Sequence, residues 1–170
     1  QHVLLAALSK LTSDTNPYLV LVGSAQGRDG YVAELTAQAE ALGLRHRLVF
    51  AGLESNMAAA YAAADLAVVP TIRPEPFGRT IIEAQAASLP VVASDAGGFR
   101  ETVMAKPASA GGTGWLATPD NAEALSQSLD AALALAPEPL KLMGANGCAH
   151  VRAHYTQTAM CNRTLNVYRE

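Results

Sequence analysis

The chain has 170 residues, half of them hydrophobic, and 12 Lys and Arg against 15 Asp and Glu give a formal net charge of -3 at pH 7. That length favours one domain with a real core, and the scattered cations form no basic stripe of the kind that binds nucleic acid. Cys148 and Cys161 are too few for a disulfide framework and lack metal-ligand spacing, no apolar run approaches the roughly 20 residues that span a bilayer, and no charged-then-apolar signal segment opens the chain; a reducing cytoplasm is the simplest compartment.

HVLLAALSKL follows Gln1 at once, with Val3, Leu4, Leu8 and Leu11 at helical spacing. A chain that starts inside an element is expected to be a fragment of a longer protein. PYLVLVG (17–23) is an apolar run closed by glycine and predicts a buried strand; YVAELTAQAEALGL (31–44) predicts a helix with Gly43 as its stop. RLVFAGL (47–53) is the next strand, MAAAYAAA (57–64) a short helix, and DLAVVPT (65–71) a third strand. A helix over 79–88 follows, its start near Phe77 or Gly78; PVVASD (90–95) is a fourth strand and GGFRETV opens another helix. GWLATPD (114–120) is a weak fifth strand, NAEALSQSLDAALALA (121–136) a helix that Pro137 and Pro139 break, and two closing helices fill 138–154 and 156–168. GGTG (111–114) reads as a flexible loop.

Strands alternating with helices predict an α/β domain, a Rossmann-like three-layer arrangement with a mostly parallel sheet. The strands lack polar alternation, as strands buried on both faces do. In such sheets ligands bind beyond the carboxyl ends of the strands. Here those ends are 23–30, 52–56, 70–78, 95–98 and 118–120, nearly all Gly- or Pro-rich.

EPFGRTIIE (75–83) lies at the third of these ends. Pro74 and Pro76 hold the chain extended around Glu75. The first amides of the following helix have no partner within it, and its dipole favours an anion there. Gly78 has no side chain, so a phosphate has close access to the backbone; Thr80 adds a hydroxyl and Arg79 a positive charge. Glu83 stands three residues past Thr80 on nearly the same face. An ionised carboxylate only accepts hydrogen bonds, so beside a phosphate site it suits a hydroxyl-rich group such as a ribose diol. Glu75, before the helix, suits a second polyol. Diol, phosphate and polyol together outline a nucleotide-sugar. The residues alone leave a plainer reading equally open, in which Glu83 is a favourably placed first-turn carboxylate and Glu75 a solvated loop residue.

The chain resembles the C-terminal, donor-nucleotide domain of GT-B glycosyltransferases of family 4, retaining enzymes that use nucleotide-sugars. The resemblance runs through PYLVLVGSAQG, RLVFAGL, YAAADLAVVPTIRPEPFGRTIIEAQAASLPVVASDAGGFRETV, GWLATPDNAEAL and TLNVYRE. Its most specific element is a pair of glutamates with seven residues between them, Glu75 and Glu83, flanked by ADLAVVP and PVVASDAGG. It implies that Glu83 holds the ribose hydroxyls and Glu75 faces the donor sugar. Phe77, Gly78, Arg79 and Thr80 would meet the diphosphate through their backbone amides. Gly23 and Ser24 match the loop after the first strand, and Leu53 the loop near the base. It implies no metal and no cofactor besides the nucleotide-diphosphate sugar itself. The acceptor, a glycan or lipid-linked saccharide, would be brought by an N-terminal domain outside these residues, and the whole protein would work in the cytoplasm, with peripheral association at the inner face of the membrane allowed. Family members usually carry an Arg and a Lys just before the position of this chain's first helix; Gln1 follows that point, so the fragment is expected to bind nucleotide weakly, if at all, and not to transfer sugar. Within the fold, an epimerase or a phosphorylase is the alternative, and outside catalysis a nucleotide-binding or interaction module. A dinucleotide-binding oxidoreductase is disfavoured, because GSAQGRDG places glycines at 23, 27 and 30, the wrong spacing.

His150 and His154 are at i and i+4, a zinc-compatible spacing, but Val151 stands where a zinc protease has Glu; they are expected to be surface histidines. Gly97 and Gly98 are read as a turn and helix start, with a ligand-facing backbone as the lesser reading. Trp115 is expected to pack, and both cysteines to be buried thiols.

Overall fold

The computed structural model describes residues 1–169. In chain order the elements are α1 (His2–Leu8), β1 (Leu19–Val22), α2 (Asp29–Ala41), β2 (Leu48–Gly52), α3 (Met57–Ala62), β3 (Ala67–Val69), α4 (Arg79–Ala86), β4 (Val91–Ser94), α5 (Phe99–Thr102), β5 (Gly114–Ala117), α6 (Ala122–Leu133), α7 (Pro137–His154) and α8 (Gln157–Val167). The strand–helix alternation is the one expected from the apolar runs. Every ladder is parallel, but the strands fall into two groups, β1–β2 and β3–β4–β5.

β4 shows why this is a layered α/β domain. Val92 faces a cluster built from Leu4 and Ala7 of α1 and Leu125, Leu129 and Ala132 of α6. Val91 and Ala93 face the opposite way, onto Ile81 and Ala84 of α4 and onto Phe99 and Val103. Successive side chains of a strand point to opposite faces, so an unbroken apolar run is what a strand covered on both sides requires. The expectation fails for β1 and β2. Leu19, Leu21 and Leu48 join Leu5, Leu35 and Ala39 in a third cluster under α1 and α2. On the other face Val20 is 51% exposed and its register partner Val49 42%. An apolar run carries no record of which face is covered, and no element among the described residues lies over this one.

Helix ends follow local chemistry. Asn121 caps α6 by accepting from the Ala124 amide at 2.9 Å, and Thr156 caps α8 by accepting from Ala159 at 3.1 Å. α6 stops at Leu133, three residues short of the expected 136, and Pro137 serves instead as the first residue of α7, where its missing N–H costs nothing. Gly144 lets α7 lie directly on the end of α4: a Cβ there would collide with the Ser88 carbonyl.

GGTG is not a flexible loop. Gly112, Thr113 and Gly114 are buried, and Gly114 opens β5. Thr113 Oγ1 accepts from the Met104 amide at 3.0 Å and from Gln85 Nε2 at 3.1 Å, and Gln85 Nε2 also donates to the Thr102 carbonyl at 3.0 Å. This buried polar knot ties α4 to α5 and β5. Its residues read as solvent-loving, and only the topology, which brings positions 85, 102 and 113 together, makes them core. Of the two cysteines, Cys148 is buried and Cys161 exposed, since α8 buries no residue at all. Trp115 packs against the α1–α6 cluster as expected.

Candidate nucleotide-sugar site

α4 begins at Arg79, the start of the expected 79–88 range, and ends two residues short of it, with Gly78 as its N-cap in a left-handed conformation, φ +82°. The amides of Gly78, Arg79 and Thr80 meet no acceptor among the described residues, whereas Ile81 N already donates to Gly78 O at 3.0 Å. These orphan donors, with the helix dipole behind them, form an anion-binding end. A cleft of about 300 Å³ opens beside them, lined by Val69, Glu75, Pro76, Phe77, Gly78, Arg79, Thr80 and Phe99.

The reason for glycine at 78 differs from the one the sequence suggests. Gly78 is buried, and a Cβ there would lie less than 3.0 Å from Cδ1 and Cε1 of Phe99. The Phe99 ring is itself 1% exposed. Glycine is therefore demanded by the turn and by the ring beneath it, before any ligand arrives. The same holds for Gly97 and Gly98. A Cβ on Gly97 would collide with the Glu75 backbone and one on Gly98 with that of Pro76 and Phe77, and Gly98 N donates to Glu75 O at 2.8 Å. These glycines clasp the 75–77 segment from behind, which accounts for glycine at both positions and occupies the Gly98 amide. Asp95 supports the same turn by accepting from Arg100 Nε at 2.7 Å.

Glu75 is half-buried at the cleft wall; no contact of its side chain defines it further. Glu83 is one turn along α4, outside the cleft lining, with its side chain 44% exposed. Its Oε1 accepts from Arg79 Nη2 at 3.4 Å and its Oε2 from the Tyr61 hydroxyl at 3.3 Å. Burial holds the Tyr61 phenol above its usual range, and the Glu83 charge adds to the effect. Tyr61 is a site neighbour that sequence reading missed. It lay in an alanine-rich helix with nothing to mark it, 22 residues from Glu83.

Phe77 is 47% exposed and meets the Tyr155 ring edge-on, with centroids 5.8 Å apart. Tyr155 donates its hydroxyl to the Glu101 carbonyl at 3.0 Å. His150 and His154 stand beside it, with ring centroids at 5.4 and 6.3 Å. His154 is exposed as expected, but His150 is half-buried and its Nε2 has no partner. Burial pulls its imidazole below the usual range, His154 and Lys106 add to this, and the Glu101 backbone opposes it. Among the described residues no group of three or more His, Cys, Asp or Glu is placed to hold a metal ion.

Gly23, Ser24 and Leu53 lie at the carboxyl ends of β1 and β2 and do not line the α4 cleft. Gly23 N donates to Gly52 O at 2.8 Å, joining the two loops, and Leu53 is 83% exposed. A larger open cleft of about 450 Å³ lies nearby, lined by Gln1, Arg28, Gly30, Tyr31 and Glu34. It holds none of the expected site residues. Among the described residues no helix is long and apolar enough to cross a membrane.

A layered α/β domain with parallel strands of this kind is a Rossmann-like half of a GT-B glycosyltransferase architecture. Residues 1–148 match the family described as glycosyl transferases group 1, and the chain belongs to that family. It is 34% identical over 170 residues to the D-inositol 3-phosphate glycosyltransferase of Segniliparus rotundus, covering 98% of this chain and 36% of that one. It is 34% identical over 139 residues to the lipopolysaccharide core biosynthesis mannosyltransferase LpsB of Rhizobium meliloti, covering 80% of this chain and 38% of that one. Among solved structures, HepE of Anabaena in complex with UDP and glucose superposes with a TM-score of 0.86 at 29% identity, over 99% of this chain and 44% of that one. The chain thus spans under half the length of these proteins.

Proposed function

We propose that this chain is the donor-binding domain of a retaining glycosyltransferase, which moves a sugar from a nucleotide-diphosphate sugar to a glycan or lipid-linked acceptor in the cytoplasm. The observation that carries the reading is the set of free amides at Gly78, Arg79 and Thr80, opening into a cleft with Glu75 on its wall and Glu83 one turn beyond. In this reading the diphosphate sits on those amides. Negative charge grows on the diphosphate as the sugar–oxygen bond breaks, and fixed amide dipoles stabilise that charge with no reorganisation. Arg79 adds the nearest cation. Glu83 accepts from the ribose hydroxyls and Glu75 from the sugar, so the sugar is oriented before transfer. No metal has a part. That HepE was solved with UDP, and separately with UDP-glucose, supports a nucleotide-sugar as ligand.

The test is an NMR titration of the chain with UDP, GDP, ADP and NADH. One diphosphate should shift the resonances of residues 77–80 and 83, with millimolar affinity, and NADH should shift none of them. Failure of all three diphosphates to perturb α4 would refute the reading. On the whole protein, the anomeric configuration of the product decides retention.

A further inference from the structure

Glu83 reaches two donors of opposite character. Arg79 lies on the same helix, its side chain is 84% exposed, and its contact is 3.4 Å long. A solvent-exposed pair at i and i+4 holds neither partner firmly. Tyr61 comes from α3, and its ring packs against the cluster of Ile81, Ala84 and Phe99. That packing limits where the hydroxyl can go, so although its 3.3 Å contact is no shorter than an outer-range hydrogen bond, it comes from a more fixed point than Arg79 does. The two anchors differ in what a ligand would do to them. A diphosphate arriving at the α4 amides attracts Arg79 and can draw it off Oε1. It has no such claim on a phenol hydroxyl. Oε1 is then freed while Oε2 stays tethered, and a carboxylate with about four acceptor positions still has three for a diol.

We propose that Tyr61 is a positioning residue that holds the Glu83 carboxylate for the nucleotide's ribose diol and so sets the preference for ribonucleotides over nucleotides lacking those hydroxyls. This rests on the nucleotide reading of the site. Tyr61 acts through Glu83 and touches no ligand itself. Loss of its hydroxyl leaves Glu83 free to swing toward Arg79 or solvent, and the diol then has to recapture it.

The experiment uses the 170-residue chain titrated with UDP, GDP and ADP and with their 2′,3′-dideoxy forms, read by NMR. Tyr61→Phe keeps the packed ring and removes only the hydroxyl. It should weaken the ribonucleotide that binds by about fivefold, the loss expected for one ordinary hydrogen bond, and leave its dideoxy form unchanged. In a Glu83→Gln background the same change should add nothing. Without ligand, Glu83→Gln should shift the Tyr61 phenol titration to lower pH, since a negative neighbour is removed. If Glu83→Gln abolishes the ribose preference while Tyr61→Phe leaves it intact, the Tyr61 role is wrong and the nucleotide reading stands. If no diphosphate binds, the nucleotide reading fails and takes this inference with it; if one binds but Glu83→Gln leaves the preference unchanged, the ribose role of Glu83 is wrong and this inference falls while the nucleotide reading stands.

Discussion

Gly78→Ala separates a structural glycine from one reserved for a phosphate. Two costs can be worked from the structure. At φ +82° an alanine sits in the left-handed region, which costs about 1–2 kcal/mol. Its Cβ would also lie less than 3.0 Å from two carbons of the Phe99 ring. That ring is 1% exposed and cannot retreat into solvent, so overpacking adds about 1–3 kcal/mol. The expected loss is about 2–5 kcal/mol, a large share of a typical domain's stability. Urea unfolding followed by circular dichroism measures it as a fall in midpoint at constant slope. Phe99→Leu makes room beneath Gly78, so the double variant should lose about 1–2 kcal/mol less than the sum of the singles. A Gly78→Ala chain that keeps its stability and loses only nucleotide affinity would refute the argument and restore phosphate approach as the reason for the glycine.

Three other outcomes are expected. Thr113→Val strips the shared acceptor from Met104 N and Gln85 Nε2; it should cost about 1–3 kcal/mol, the penalty for orphaned buried donors, by the same unfolding assay. Burial lowers the His150 pKa and the neighbouring His154 and Lys106 add to the effect, so its imidazole binds a proton less readily folded than unfolded. Its contribution is therefore present above the unfolded value of about 6.5 and is lost as pH falls below it. Stability should drop on acidification through that range, and His150→Gln should flatten the pH profile. Tyr155→Ala removes the ring against which Phe77 rests; hydrogen exchange at residues 75–80 should quicken severalfold, while Tyr155→Phe, which keeps the ring, should change it little.

What the sequence could show and what it could not divide along one line. Signals written within a few residues came through: apolar runs for the strands, Asn121 and Pro137 as punctuation, and the extended dipeptides around Glu75 with a helix behind them. Signals that depend on what lies across the fold did not. GGTG has the composition of a loop, yet Thr113 is a hub because Gln85 and Met104 converge on it. Val20 and Val49 have the composition of core, yet their shared face is open. Gly97 and Gly98 sit at a strand end where a ligand is expected, yet the 75–77 backbone occupies that space. The glutamate pair was visible as a spacing, but Tyr61 on one of the two was not, because nothing in an alanine-rich helix says which residue lies opposite α4.

The charge balance of the cleft bears on how such a site works. Its lining carries one cation, Arg79, and one anion, Glu75, with Glu83 a second anion just beyond. A diphosphate brought here meets no net positive field from side chains, and Arg79 begins in contact with Glu83. In the proposed reading attraction therefore falls to hydrogen bonds from the amides of Gly78, Arg79 and Thr80 and to the dipole of an eight-residue helix, and the dipole alone is confined to the first turn and worth about 1–2 kcal/mol at best. That is enough to orient a diphosphate but far short of the roughly 8 kcal/mol of micromolar binding. In the proposed reading the remainder comes from the amide hydrogen bonds themselves and from groups outside the α4 cleft. This division suits transfer chemistry. A donor held mainly by directional amides is placed accurately, and contacts added by another element would make tight binding coincide with assembly of the full site.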